Sequence, residues 1–236
     1  MAHISETRQR PHRRKPGHNP LFAPSLVFLG FIGLAAGYVA YVLWPRWPGV
    51  PVTLEAPALP IVVAGEMFNI EPAAIRQAVQ RRPGTQQRVD LAYLWPSLTP
   101  PDPAATPDVA APADPNERLF ISITEAGETL PPLERVRTIY PRYFAGVATT
   151  RPDGLALRGF RDGTAYQGDD LVYDSSLPDD FVARCSRTGI GNSGMCLYER
   201  RIGRADIVVR FPRDWLSDWR TVPAGIDRLI TRLHPG

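Results

Sequence analysis

Lysine and histidine are almost missing from this chain of 236 residues: Lys15 is the only lysine, and the four histidines are His3, His12, His18 and His234. Between Asn19 and Leu233 neither residue type occurs. That stretch therefore excludes a Ser-His-Asp or Cys-His constellation, a Schiff-base lysine, a Ser-Lys dyad and a His-based metal site. Carboxylate chemistry is what remains there, and no cofactor is expected. Positive charge is also scarce once the N-terminus is set aside. The formal charge is +3, but Arg8, Arg10, Arg13, Arg14 and Lys15 against Glu6 place +4 in the first twenty residues, so the remainder sums to −1. A nucleic-acid partner is excluded on that count, because a surface that tracks phosphates needs surplus cations over most of a face.

Charge is absent altogether from Pro16 to Pro45, and residues 21–44 read LFAPSLVFLGFIGLAAGYVAYVLW. At a rise of about 1.5 Å per residue this length spans a ~30 Å hydrocarbon core, so a single transmembrane helix is expected over 21–44. Pro24 falls in its first turn, and Tyr38, Tyr41, Trp44 and Trp47 form an interfacial aromatic belt at its far end. Five Lys/Arg precede the span and Arg46 comes directly after it. The positive-inside bias then places residues 1–20 in the cytoplasm as a basic tail and the rest across a bacterial inner membrane. Gly30, Gly33 and Gly37 share one helical face, a surface for homodimerisation or partner docking within the bilayer.

Proline divides the rest of the chain. Fourteen prolines lie from Pro45 to Pro115 and eight from Asn116 onward. Residues 45–115 are expected to form a Pro-rich extended stalk carrying short strands at 59–64 and 88–95. Residues 116–236 are expected to form an α+β periplasmic domain. In it RLFISIT reads as a half-buried strand, and Pro131-Pro132 opens a short helix. Segments 155–160, 180–185, 196–202 and 206–211 read as an antiparallel meander. Trp215, Trp219, Val222, Ile226, Leu229 and Leu233 recur at three- and four-residue spacings, the pattern of an amphipathic C-terminal helix. Trp215, Trp219, Ile226 and Leu229 are assigned to its core face, closing the sheet.

The only cysteines, Cys185 and Cys196, end one expected strand and begin the next. A disulfide staple fits this placement; the spacing is not CxxC and no histidine is near to activate a thiolate. Asp169, Asp170, Asp174, Asp179 and Asp180 crowd one stretch, but match no EF-hand spacing and sit beside turn residues, so a solvated loop is preferred to a calcium site. Arg200, Arg201, Arg204, Arg210 and Arg213 alternate with Glu199, Asp206, Asp214 and Asp218, a pattern of mutual ion pairing.

At VPVTLEAP, QRRPGTQQRVDLAYLWPSL, YERRIGRADIVVRFPRDWLSDWR and the cysteine hairpin, the chain resembles single-pass envelope proteins of high-GC alphaproteobacteria. The resemblance implies the same inner-membrane placement and carries no activity, catalytic residue or cofactor with it. The expected function is that of a non-enzymatic, membrane-anchored periplasmic accessory protein, its partners the lipid bilayer and another envelope protein. The alternatives are an envelope-spanning bridge with a TonB-like layout and a carboxylate-dependent enzyme acting on envelope glycan.

Overall fold

The computed structural model describes residues 22–43, 52–102, 117–189 and 193–235. It divides into two compact units, Met1–Pro48 and Gly49–Gly236. In the first, α1 covers Phe22–Leu43. Side chains are described there at 24, 25 and 27–42. Among the described residues no helix is long and apolar enough to cross a membrane. This corrects the expected transmembrane helix over 21–44, and with it the single-pass inner-membrane placement that rested on that helix. Tyr38 and Tyr41 are exposed on α1, whereas Trp44 and Trp47 of the expected belt lie outside the described residues, as does the basic tail 1–20. Among the described residues, nothing approaches the positions where Gly30, Gly33 and Gly37 would carry a Cβ.

The second unit is mostly β-sheet, which corrects the expected layout of a stalk followed by an α+β domain. Its first elements are β1 (Leu59–Val63), β2 (Glu66–Ile70), β3 (Gly84–Gln86) and β4 (Arg88–Leu94). They are followed by β5 (Arg118–Glu125), α2 (Pro132–Thr138), β6 (Thr149–Thr150), β7 (Leu155–Gly159) and β8 (Asp169–Asp174). The chain closes with β9 (Val182–Ser186), β10 (Met195–Ile202), β11 (Ala205–Pro212) and α3 (Thr221–Leu233). Two sheets form: a three-stranded one ordered β2-β1-β3 and an eight-stranded one ordered β4-β5-β11-β10-β9-β8-β7-β6. Every pairing in the larger sheet is antiparallel.

The prolines of 52–102 lie mainly between strands, where they interrupt no ladder. The apolar residues they bracket, Ile61, Val63, Phe68, Ile70, Val89, Leu91 and Tyr93, are fully buried in the same core as α3. Burial of that many large side chains, at about 2 kcal/mol each, outweighs the extended tendency of a Pro-rich composition. The remaining stretch, 103–116, lies outside the described residues.

Period-two patterning sets the two faces of the large sheet. Leu119, Ile121 and Ile123 of β5 and Ala205, Ile207, Val209 and Phe211 of β11 point into the main core. The small sheet and α3 close that inner face. On the other face, α2 and a smaller aromatic cluster around Tyr140, Phe160 and Tyr166 cover β8 and β9. The expected meander lacked β8, because its aspartates read as a loop; Leu171 and Val172 are nonetheless buried between them. In the β1–β2 hairpin, Ala64 (φ +55°) and Gly65 (φ +90°) both take left-handed backbone, as a two-residue turn matched to strand twist requires. The outer edge of β4 is covered: the Asp90 N–H donates to Gln80 Oε1 at 2.9 Å, and the Arg76 N–H donates to the Asp90 carbonyl at 2.9 Å. A capped edge does not template further strand pairing.

Candidate functional site: a cleft beside the C-terminal helix

The expected site residues lie in different parts of the second unit. Cys185 and Cys196 are direct register partners on β9 and β10 and are joined as a disulfide with Cα atoms 4.0 Å apart. Both are fully buried, so the bond sits in the core as a cross-strand staple. Trp219, Ile226 and Leu229 are buried, 4%, 0% and 1% exposed. Trp215 is half-buried and stacked between Trp95, 4.8 Å away, and Phe211, 5.9 Å away. Trp215 and Trp219 precede α3, in a 3₁₀ segment and the residue directly after it, Arg213–Trp219.

Around Trp219 the chain forms a cleft of about 420 Å³. Its floor is aromatic. Phe181 stacks on Trp219 at 5.6 Å and on Tyr198 at 5.9 Å, a three-ring column that crosses from β10 to the base of α3. Trp219 is fixed further by its indole N–H, which donates to the Asp153 carbonyl at 3.3 Å. Burial pushes the Tyr198 phenol pKa above its ordinary value, so the column stays neutral at the pH of any cell.

The rim is charged and ordered in advance. Arg200 donates to Asp227 of α3 at 2.6 Å. Asp179 is paired with Arg137, next to the end of α2. Arg220 lies over the Trp219 ring at 4.6 Å and packs against Gly154. Gly154 has φ +87°, so a side chain there would be strained as well as in the way. Asp174 accepts from the Ser176 hydroxyl at 2.6 Å and the Ser176 N–H at 2.8 Å. Those two bonds hold its carboxyl below the usual carboxylate range. With Asp180, four carboxylates and two arginines face an apolar floor closed by Pro223 and Ala224.

The crowded aspartates divide by strand geometry rather than converge. Asp169 pairs with Arg184 at 2.8 Å, and Asp170 bridges Arg187 at 2.9 Å and Arg213 at 2.7 Å. Among the described residues no group of His, Cys, Asp or Glu is arranged to hold a metal ion. The arginine series is ion-paired, though mostly with carboxylates distant in sequence: Arg200 with Asp227, Arg201 with Asp206, Arg204 with Glu125 and Arg213 with Asp170. Arg210 instead approaches the Ser122 hydroxyl at 3.4 Å.

Sequence reasoning missed the cluster around Asp90. Burial pushes that carboxyl up, but hydrogen bonds from Arg88, Ser122 and Gln80 and the Arg88 charge outweigh it and bring the group down to about 2. Alternating polar residues in Arg88–Asp90 and at Ser122 were the available signal, and they needed the β4–β5 register to be read together.

No protein-family model matches the chain, and no curated protein matches it. Among solved structures it is similar to Smlt3025, an immunity protein of the Stenotrophomonas maltophilia type IV secretion system. The TM-score is 0.53 at 12% identity, over 75% of this chain and 93% of that one. It is also aligned with FrpD, an iron-regulated outer membrane lipoprotein of Neisseria meningitidis, over 79% of this chain and 96% of that one. There the TM-score is 0.37 at 7% identity, too remote to carry an argument. The likeness to Smlt3025 is one of fold.

Proposed function

We propose that the chain is a non-enzymatic binding protein whose Gly49–Gly236 unit holds a segment of another protein in the cleft beside α3. The observation that carries this reading is the preformed cleft itself: an aromatic floor fixed by ring stacking beneath a rim already organised by ion pairs. A surface ordered before contact loses little conformational entropy on binding, which is where much of the gross interaction energy of flexible surfaces is consumed. Arginine, here Arg200 and Arg220 on the rim, is also among the side chains that dominate binding energy when a partner covers them. Proton-transfer catalysis is disfavoured at Asp174, because hydrogen bonds from Ser176 lower its pKa, whereas a general acid or base at neutral pH needs a raised one.

The more specific form of this reading is immunity, the role named for Smlt3025, with a protein delivered by a secretion system as the bound partner. The shared fold alone supports it. The test is site-specific photocross-linking in the full-length chain. A cross-linker at Ala224, exposed at the cleft, is expected to trap one partner in stoichiometric yield, and the same group at the exposed Val147, toward the other end of β7 from Gly154, is expected to trap none. Equal trapping at both positions, or none at Ala224, removes the cleft as the binding site.

A further inference from the structure

A second surface lies on the opposite face of the large sheet, where β4, β5 and β11 turn away from the core. Cross-strand register places Phe120 between Ala92 and Arg210, Ser122 between Asp90 and Val208, and Arg118 opposite Leu94. The Arg76 guanidinium lies 4.7 Å over the Phe120 ring. The Ser122 hydroxyl donates to Asp90 at 2.7 Å and receives Arg88 and Arg210, each at 3.4 Å. Four arginines (76, 88, 118 and 210) thus answer a single carboxylate, Asp90, on one face. At its far end Arg201 is paired with Asp206, Arg204 with Glu125 and Arg135 with Glu199, so those charges cancel locally and leave the surplus in place. Between the arginines, Leu94, Phe120 and Val208 are half-buried.

We infer that this face docks an acidic surface of a partner protein. The inference is independent of the cleft, which lies by α3 and carries more carboxylates than arginines. Planar guanidinium groups bind carboxylates in a bidentate fashion, and arginine alternating with aromatic and aliphatic side chains is the composition of a protein interface core. A duplex would need surplus cations tracking its phosphates over most of a face, and here the arginines stop at the ion-paired far end. A membrane surface would need protruding apolar side chains, whereas Phe120 is held down within the sheet by Arg76.

The full-length chain is titrated, at low and at physiological salt, with a random glutamate–tyrosine copolymer, with phosphatidylglycerol vesicles and with duplex DNA. The copolymer is expected to bind, to weaken as salt rises, and to weaken at least roughly tenfold in the Arg76→Glu/Arg118→Glu double variant. Asp227→Asn in the cleft is expected to leave that binding unchanged. Arg118→Gln, a milder change at a half-buried position, gives the same direction of effect if the double variant proves unstable. Absence of copolymer binding, binding unaffected by the charge changes, or tighter binding of vesicles or DNA than of copolymer overturns the inference.

Discussion

Replacing Gly225 by Ala is expected to destabilise the protein, although helix propensity alone says the opposite. Gly225 lies inside α3, where Gly→Ala normally stabilises by about 1 kcal/mol. Here the new Cβ meets two carbons of the Trp95 ring at 2.5 and 2.6 Å. Carbon atoms in contact sit ~3.5 to 4.0 Å apart, so helix and ring must separate by about 1 Å. Trp95 has little freedom to yield. Its ring stacks on Trp215 at 4.8 Å, which stacks in turn on Phe211 of β11, and its backbone N–H donates to the Glu117 carbonyl at 2.8 Å. Overpacking of this kind costs ~1 to 3 kcal/mol, and the clash at two ring carbons places this site toward the upper end, so the net effect after the propensity gain is a loss of up to about 2 kcal/mol. In a unit of this size that lowers Tm by a few degrees, on the order of 2 to 4 °C per kcal/mol. Urea unfolding followed by tryptophan fluorescence reads the change directly. A double-mutant cycle supplies the control, because in a Trp95→Leu background the same Gly225→Ala change should cost little or become stabilising. A rise in the urea midpoint of the single variant, or an equal effect in both backgrounds, refutes the argument that Trp95 occupies the Cβ position.

Three further outcomes are expected. Converting Cys185 and Cys196 to Ser should lower the stability of the oxidised protein by about 2 to 4 kcal/mol, seen as an earlier urea midpoint; an unchanged midpoint would show that the cross-link constrains nothing. Asp90→Asn should destabilise at neutral pH by on the order of 2 kcal/mol, because a carboxyl held at about 2 when folded and 3.8 when unfolded contributes stability above its unfolded value. That contribution disappears as pH falls from about 4 through about 2, so wild type and variant should converge in acid, and a gap that persists at pH 2 contradicts the assignment. Ala64→Gly should raise stability by less than about 1 kcal/mol, since relief of a left-handed alanine is offset in part by loss of a half-buried methyl packed against the core; differential scanning calorimetry showing a lower Tm would count against a strained alanine there.

Local physics was legible without coordinates. The spacing of Val222, Ile226, Leu229 and Leu233 marks an amphipathic helix because 3.6 residues make a turn. The alternation in RLFISIT marks a strand with one buried face because successive side chains oppose one another. Both signals reside within a dozen residues of chain. What the tertiary structure alone decided is of longer range. Arg88–Leu94 reads as a strand, yet that it pairs with β5 across a proline-rich connection, and so joins the core instead of a stalk, depends on contacts that no local pattern encodes. β8 was hidden because its aspartates are polar in composition, whereas pairing with β7 and β9 buries Leu171 and Val172, and Arg184 of β9, Arg187 just beyond it and Arg213 beyond β11 meet the charges. The apolar run at 21–44 shows the reverse: composition alone argued for a membrane crossing, and among the described residues no helix is long and apolar enough to make one. Gly225 against Trp95, Arg200 against Asp227 and Arg76 over Phe120 each join residues separated widely in the chain. Sequence determines which side chains are available and which faces they take within an element; only the packed sheet determines which of them meet, because the free energy of those meetings comes from burial and pairing between elements.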